Sequence, residues 1–287
     1  MLDQLGQRIL RMAPAIGESL LISAGILLSL MLVEIALIGW ARSSLKRLLS
    51  GSASARTDLV SAILVLSNIS LLLGTLLFFG LIYLMQSWLR THIDLRLLDH
   101  VQQPWLAYVF FIAALDFSNY WTHRLMHRIG PLWEIHKYHH SADEMTMLTA
   151  LRDHPMERAL LHGINAIPVA MLGMPPEHYL GAQLALQGLG FLKHSNLNNT
   201  WGHIGTWVIQ SPAAHRLHHS ADPRDYNCNF ASVFQFWDVL FGTARNTTAT
   251  EIGNTRIGLN EEPWSETPLR AMTQVVQSFY GQFKITR

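Results

Sequence analysis

Residues 59–85 run for 27 positions without a charged side chain, and about 20 predominantly apolar residues are enough to cross a bilayer as a helix. Ser61, Ser67, Asn68 and Ser70 are too few to give such a helix a polar face. The run therefore predicts a spanning helix. Residues 19–40 form a second candidate, interrupted only by Glu34. This stretch follows Arg8 and Arg11, but it is longer than the apolar region of a signal peptide and lacks a small-residue cleavage site. A third stretch, Trp105–Trp121, follows Pro104, a residue suited to the first turn of a helix. A fourth, 159–192, is divided by Met174-Pro175-Pro176-Glu177 into two pieces of about 15 residues, marginal for a crossing. A hairpin that dips into or barely spans the bilayer fits it better.

Lys and Arg in short loops set the orientation. The loop 41–58 carries Arg42, Lys46, Arg47 and Arg56 against Asp58, whereas in 86–104 Arg90 and Arg96 are balanced by Asp94 and Asp99. The first loop is thus expected on the cytoplasmic side. Counting onward, 122–158 and 193–287 fall on that same side. The expectation is an all-α integral membrane protein with four to five transmembrane or re-entrant helices. Its regions are an N-terminal hairpin region (1–104), a histidine-rich region containing the membrane hairpin (105–245) and a cytoplasmic tail (246–287). In the tail, Thr267 and Pro268 open a helix to Phe279, with Leu269, Met272, Val276 and Phe279 on one face.

Only 14% of residues are charged, against about 25% in soluble domains, yet the chain holds 15 histidines. A net charge of +1 and the lack of basic patches argue against a nucleic-acid partner. The single cysteine, Cys228, can form no internal disulfide and no CxxC pair.

Eight histidines fall in three groups: His123-Arg-Leu-Met-His127, His136-Lys-Tyr-His139-His140 and His215-Arg-Leu-His218-His219. On a helix, positions i, i+3 and i+4 share one face, so each group can turn its rings toward one site. Eight imidazoles exceed the three or four that one zinc ion takes, and two ions are the natural count. Nitrogen donors favour iron, zinc or copper over magnesium or calcium. No HExxH, ExxH, GxGxxG or P-loop occurs, which excludes a zinc-protease helix, a carboxylate-bridged di-iron bundle and an internal nucleotide-binding unit. His92, His100, His162, His178 and His203 stand alone and read as ordinary side chains. Asp116 and Asn119, seven and four residues before His123, are the expected partners for ligand rings.

Around these histidines the chain resembles the fatty acid hydroxylase / sterol desaturase superfamily of membrane di-iron oxidases. The resemblance rests on Asp116-x-x-x-Tyr120-Trp121-x-His123-Arg124-x-x-His127, Trp133-x-x-His136-x-x-His139-His140-Ser141 and Arg152-Asp-His154-Pro155. It continues through His194-Ser195-Asn196, Pro212-x-x-His215-Arg216-x-His218-His219, Asn227 and Trp237-Asp238-x-x-Phe241-Gly242-Thr243. It implies a membrane anchor capped by a cytoplasmic helical domain in which histidines hold two iron ions, with zinc an occupant of purified protein. It adds His194 as a ninth ligand and His154 as a residue near the ligands. The implied reaction is activation of O2 with two electrons, then hydrogen abstraction from an unactivated C–H bond of a lipid, giving an alcohol or an alkene. The lipid could be of fatty acyl, sphingoid, sterol or hopanoid class. Electrons would come from a separate redox protein, and the host membrane would be a bacterial inner membrane or the endoplasmic reticulum. The alternative is a histidine-based metal transporter or metal sensor, which would place its ligands within the spanning segments.

Overall fold

The computed structural model describes residues 2–93, 95–173, 176–260, 264 and 267–283, and among these residues the chain is helical, with two isolated β-bridges and no strand. Helix α1 (Leu2–Ile38) contains the one described segment, Gly17–Ile38, that is long and apolar enough by itself to cross a membrane. Leu21, Leu28, Leu32 and Leu37 on it are exposed. A short α2 (Ser44–Ser50), capped by the Ser43 side chain, follows.

The 59–85 run is not one straight helix. It is divided among α3 (Ala53–Leu66), α4 (Ile69–Leu77) and α5 (Leu81–His92), and α3 and α4 meet at 85°. Asn68, at that corner, has a left-handed φ of 59°, which Asn tolerates better than most residues because its short polar side chain can hydrogen-bond locally. A second break falls at Phe79 and Gly80, both with positive φ. Hydropathy measures how much apolar surface a run presents and carries no information about its direction. The bend lays α4 across the start of the helix that opens at Pro155, so close that a Cβ on Gly74 would lie 1.8 Å from the Pro155 carbonyl oxygen.

Four more long helices follow: α6 (Pro104–Arg128), α7 (Gly130–His140), α8 (Pro155–Leu172) and α9 (Pro176–Lys193). Proline opens α6 and α8, where its missing N–H costs nothing. The 159–192 pieces do form two helices, but α8 packs on α4, α5 and α6 whereas α9 packs on α1. The hairpin is splayed around a cavity. Met174 and Pro175 at its turn, and the side chain of His178, lie outside the described residues. The remaining helices are α10 (Gly202–Trp207), α11 (Pro212–His218), α12 (Phe236–Leu240), α13 (Ala249–Gly253) and α14 (Pro268–Gly281). The tail helix buries Ala271, Met272, Val275 and Phe279 against Tyr138 and Ile135 of α7, whereas Leu269, expected on that face, is exposed.

Two buried polar knots fix these helices at one end. Glu34, the lone charge in the first apolar run, is buried and accepts from Ser44 N (2.6 Å), Ser44 Oγ (3.0 Å) and Asn196 N (2.6 Å), joining α1 to α2 and to the chain just after α9. Asp58 and Arg152 form a fully buried pair at 2.7 Å. Asp58 also accepts from Thr146 and Thr149, and Arg152 donates to Ser54 O and Oγ. The basic loop 41–58 therefore lies against the 141–152 segment, at the end of the molecule where the histidines gather.

Candidate metal centre

The α6–α7 corner, α11 and the end of α9 bring nine imidazoles together in two sets. One holds His123, His127, His136, His140 and His218; the other holds His139, His194, His215 and His219. Within each set one ring nitrogen per residue lies within 4.8 Å of all the others. The two HxxHH runs interlock. His136 and His140 of α7 join the first set and His139 the second, while His215 and His219 join the second and His218 the first. A single run does not turn all its rings to one point; it straddles two, because i+3 and i+4 diverge from i in opposite directions around the helix. The sets adjoin, with the rings of His140 and His219 stacked at 4.4 Å between centroids.

Hydrogen bonds fix which nitrogen is free. A carbonyl oxygen can only accept, so His123 Nδ1–H donates to Phe230 O, His218 Nδ1–H to Cys228 O and His194 Nδ1–H to Gly190 O, each at 2.8 Å. His136 Nδ1–H donates to Glu157 Oε1 at 2.7 Å. This leaves the Nε2 lone pairs of His123, His136 and His218 turned inward, and in the first set all five Nε2 atoms are buried without a hydrogen-bond partner. Burial drives the imidazoles of His136 and His218 down to about 3, and those of His139, His140, His215 and His219 well below their ordinary value. The rings are neutral donors.

In the second set Nε2 of His194 stands 2.8 Å from Nε2 of His215 and 3.4 Å from Nε2 of His139, and His215 Nε2 is 3.2 Å from His219 Nε2. The one proton of His194 is already committed to Gly190, so its Nε2 offers only a lone pair, and Nδ1 of His139, His215 and His219 is buried without a hydrogen-bond partner. Ligand nitrogens about 2.1 Å from a shared ion stand roughly 3.0–3.4 Å apart in octahedral or tetrahedral arrangement, the spacing seen here. The donor set fits two transition-metal ions.

The expected partners of the rings are elsewhere. Asp116 accepts from Val233 N, Phe234 N and Trp237 Nε1 and touches no histidine. With Asp238, which accepts from Phe230 N and Ala231 N, it clamps the 230–234 loop that offers its carbonyl to His123. Seven residues is nearly two turns, so its side chain lies too far along α6 to reach His123. Asn119 accepts from Asn165 Nδ2 (2.9 Å). His154 caps α8, its Nδ1 accepting from Met156 N and its Nε2 bonding Met272 O, both at 3.2 Å, so neither nitrogen reaches a ligand ring. The partners the sequence did not expose are Glu157 and three backbone carbonyls.

A cavity of about 370 Å³ opens from the centre between α1, α3, α6, α8 and α9. His123, His136, His139, His194 and His215 line it, together with Leu20, Leu66, Leu161 and Leu184 and the charged side chains of Asp153, Glu157, Arg158 and Lys193.

A buried, two-part histidine centre beside a partly apolar cavity defines the class: a helical protein built around two histidine sets able to hold metal. Residues 108–243 match the family model described as fatty acid hydroxylase. The chain is 32% identical over 140 residues to alkylglycerol monooxygenase of Caenorhabditis elegans, covering 49% of this chain and 27% of that protein. It is 29% identical over 147 residues to an ornithine lipid hydroxylase of Rhizobium tropici (50% and 44%). It is 29% identical over 164 residues to a sterol desaturase of Aspergillus fumigatus (50% of each). The chain thus spans half or less of the length of these relatives. No solved structure matches. Residues 108–243 are thus a fatty acid hydroxylase region, similar to proteins named as monooxygenases, hydroxylases and desaturases.

Proposed function

We propose that this chain is a multi-pass membrane oxidoreductase that hydroxylates or desaturates an unactivated C–H position of a lipid. The carrying observation is the pair of buried, neutral nitrogen sets, both of which reach a cavity lined by apolar and polar side chains. The ligands are His123, His127, His136, His140 and His218 for one ion and His139, His194, His215 and His219 for the other. Two iron ions, when bound, would supply activation of O2 with two electrons from a separate redox protein. The residues of the chain do the rest. Glu157 and the carbonyls of Phe230, Cys228 and Gly190 hold the rings in one tautomer and orientation. The leucines of the cavity keep the site dry and admit an alkyl chain.

The rings gather in two adjoining sets, five of them lining one cavity, rather than strung along a spanning helix, which favours a catalytic centre over a transport path. The exposed apolar faces of α1, α3 and α4 support burial in a bilayer, and contact between the basic loop 41–58 and the 141–152 segment supports a cytoplasmic centre. The test is metal analysis of purified protein with lipidomics of cells with and without the gene. Two irons per chain and a lipid changed by one oxygen or by two hydrogens are expected. A protein that carries zinc across vesicles and alters no lipid overturns the reading.

A further inference from the structure

The cavity is not uniformly apolar. On α6, Asn119 lies one turn before His123, and on α8 Asn165 faces it, donating Nδ2–H to Asn119 Oδ1 at 2.9 Å. Both side chains line the cavity. Asn165 is only 7% exposed, and its Oδ1 has no hydrogen-bond partner. A buried amide oxygen left unpaired costs about 1–3 kcal/mol, and neighbouring leucines would do the packing as well. The pair is also not needed to hold the ligands, since no histidine bonds either amide. An amide pair with one hydrogen bond spent internally keeps both an acceptor and a donor for a third group. A group that both donates and accepts, a hydroxyl or an amide, satisfies it; a hydrocarbon segment leaves it unsatisfied. Beyond the pair the cavity wall stays polar in places, with Gln183 bonded to Tyr179 and Gln187 to Ser23.

We propose that Asn119 and Asn165 form a specificity site for a hydroxyl or amide group of the lipid, held one helical turn from His123. Residues i and i+4 stand about 6 Å apart on a helix, so the polar group lies a few bonds from the carbon presented to the centre. The substrate class is then a lipid functionalised near its reacting carbon, rather than a bare acyl chain oxidised in mid-length. This rests on the oxygenase reading for the meaning of "reacting carbon", but the binding preference is measurable without turnover.

The test uses the metal-loaded protein in detergent, with native mass spectrometry reading retention of 1-hexadecanol, palmitamide and n-hexadecane. Wild type is expected to retain the alcohol, the amide or both about tenfold better than the hydrocarbon, the worth of one satisfied hydrogen bond. Preference for one of the two polar probes tells hydroxyl from amide. Asn165→Leu and Asn119→Ala should abolish the preference while metal per chain and melting temperature hold. Should Asn165→Leu fail to fold, Asn119→Ala, a truncation on a partly exposed side chain, carries the comparison. Equal retention of all three probes by wild type, or an unchanged preference in Asn119→Ala, overturns the proposal. A preserved preference in a wild-type protein that forms no oxidised lipid supports the binding site and overturns the oxygenase reading instead.

Discussion

Glu157 Oε1 accepts the Nδ1–H of His136 at 2.7 Å, with both side chains more than nine-tenths buried. The two residues stand on different helices, and the bond sets the direction in which the His136 Nε2 lone pair points. Among the described residues Glu157 is the one carboxylate bonded directly to a ring of the nine. Carboxylate partners of this kind typically contribute 10–100-fold to metal affinity. Glu157→Ala should therefore weaken metal retention by about that factor, while Glu157→Gln, which keeps an acceptor oxygen, should lose less. Chelator competition followed by metal analysis measures both. Equal retention in wild type and Glu157→Ala would remove Glu157 from the centre.

Glu157 also marks where the sequence stops being readable. The histidines were visible because helical spacing is local: His123 and His127, or His215 and His219, need only one helix to be neighbours. His136 and Glu157 are 21 positions apart and meet only because α7 and α8 fold back on each other, a relation no spacing encodes. The carbonyls of Phe230, Cys228 and Gly190 have no side-chain signature at all. Asp116 drew attention by lying on the face of His123, yet its bonds go to the 230–237 loop. The apolar run 59–85 carried no sign of its two breaks, at Asn68 and at Phe79–Gly80, because hydropathy has no direction.

The corner at Asn68 has a measurable consequence at Gly74. A Cβ there would press on the Pro155 carbonyl and on Ala159, at the first turn of the helix that carries Glu157. Gly74→Ala should cost about 1–3 kcal/mol through overpacking, lower the melting temperature and loosen metal. Gly25→Ala in α1, where an added Cβ meets nothing within 4 Å, should do neither. Indistinguishable thermal melts for the two variants would show that α4 and α8 do not pack as described.

The Asp58–Arg152 pair predicts a non-additive result. Removing one member strands the other's charge in the interior, which costs about 3–5 kcal/mol, whereas removing both leaves no unpaired charge. Asp58→Asn and Arg152→Met should each sharply reduce folded yield, and the double variant should recover part of the loss. Thermal melts of the purified variants give the coupling. Strictly additive losses would mean that the hydrogen bonds to Ser54, Thr146 and Thr149, rather than the ion pair, hold loop 41–58 to the histidine segment.

The interlocked division of the two HxxHH runs makes the sharpest demand on metal stoichiometry. His127 belongs to the set of five and His215 to the set of four, and each run lends one residue to the other's set. His127→Ala should empty the first site in preference to the second, and His215→Ala the reverse, so each variant should hold less metal than wild type without losing all of it. Turnover should vanish in both, because one ion cannot do the work of two. The double variant should hold none. His203→Ala, on the exposed side of α10, should match wild type in metal and activity. Metal per chain by elemental analysis decides the matter: if either single substitution strips both ions, the nine rings form one indivisible site rather than two adjoining ones.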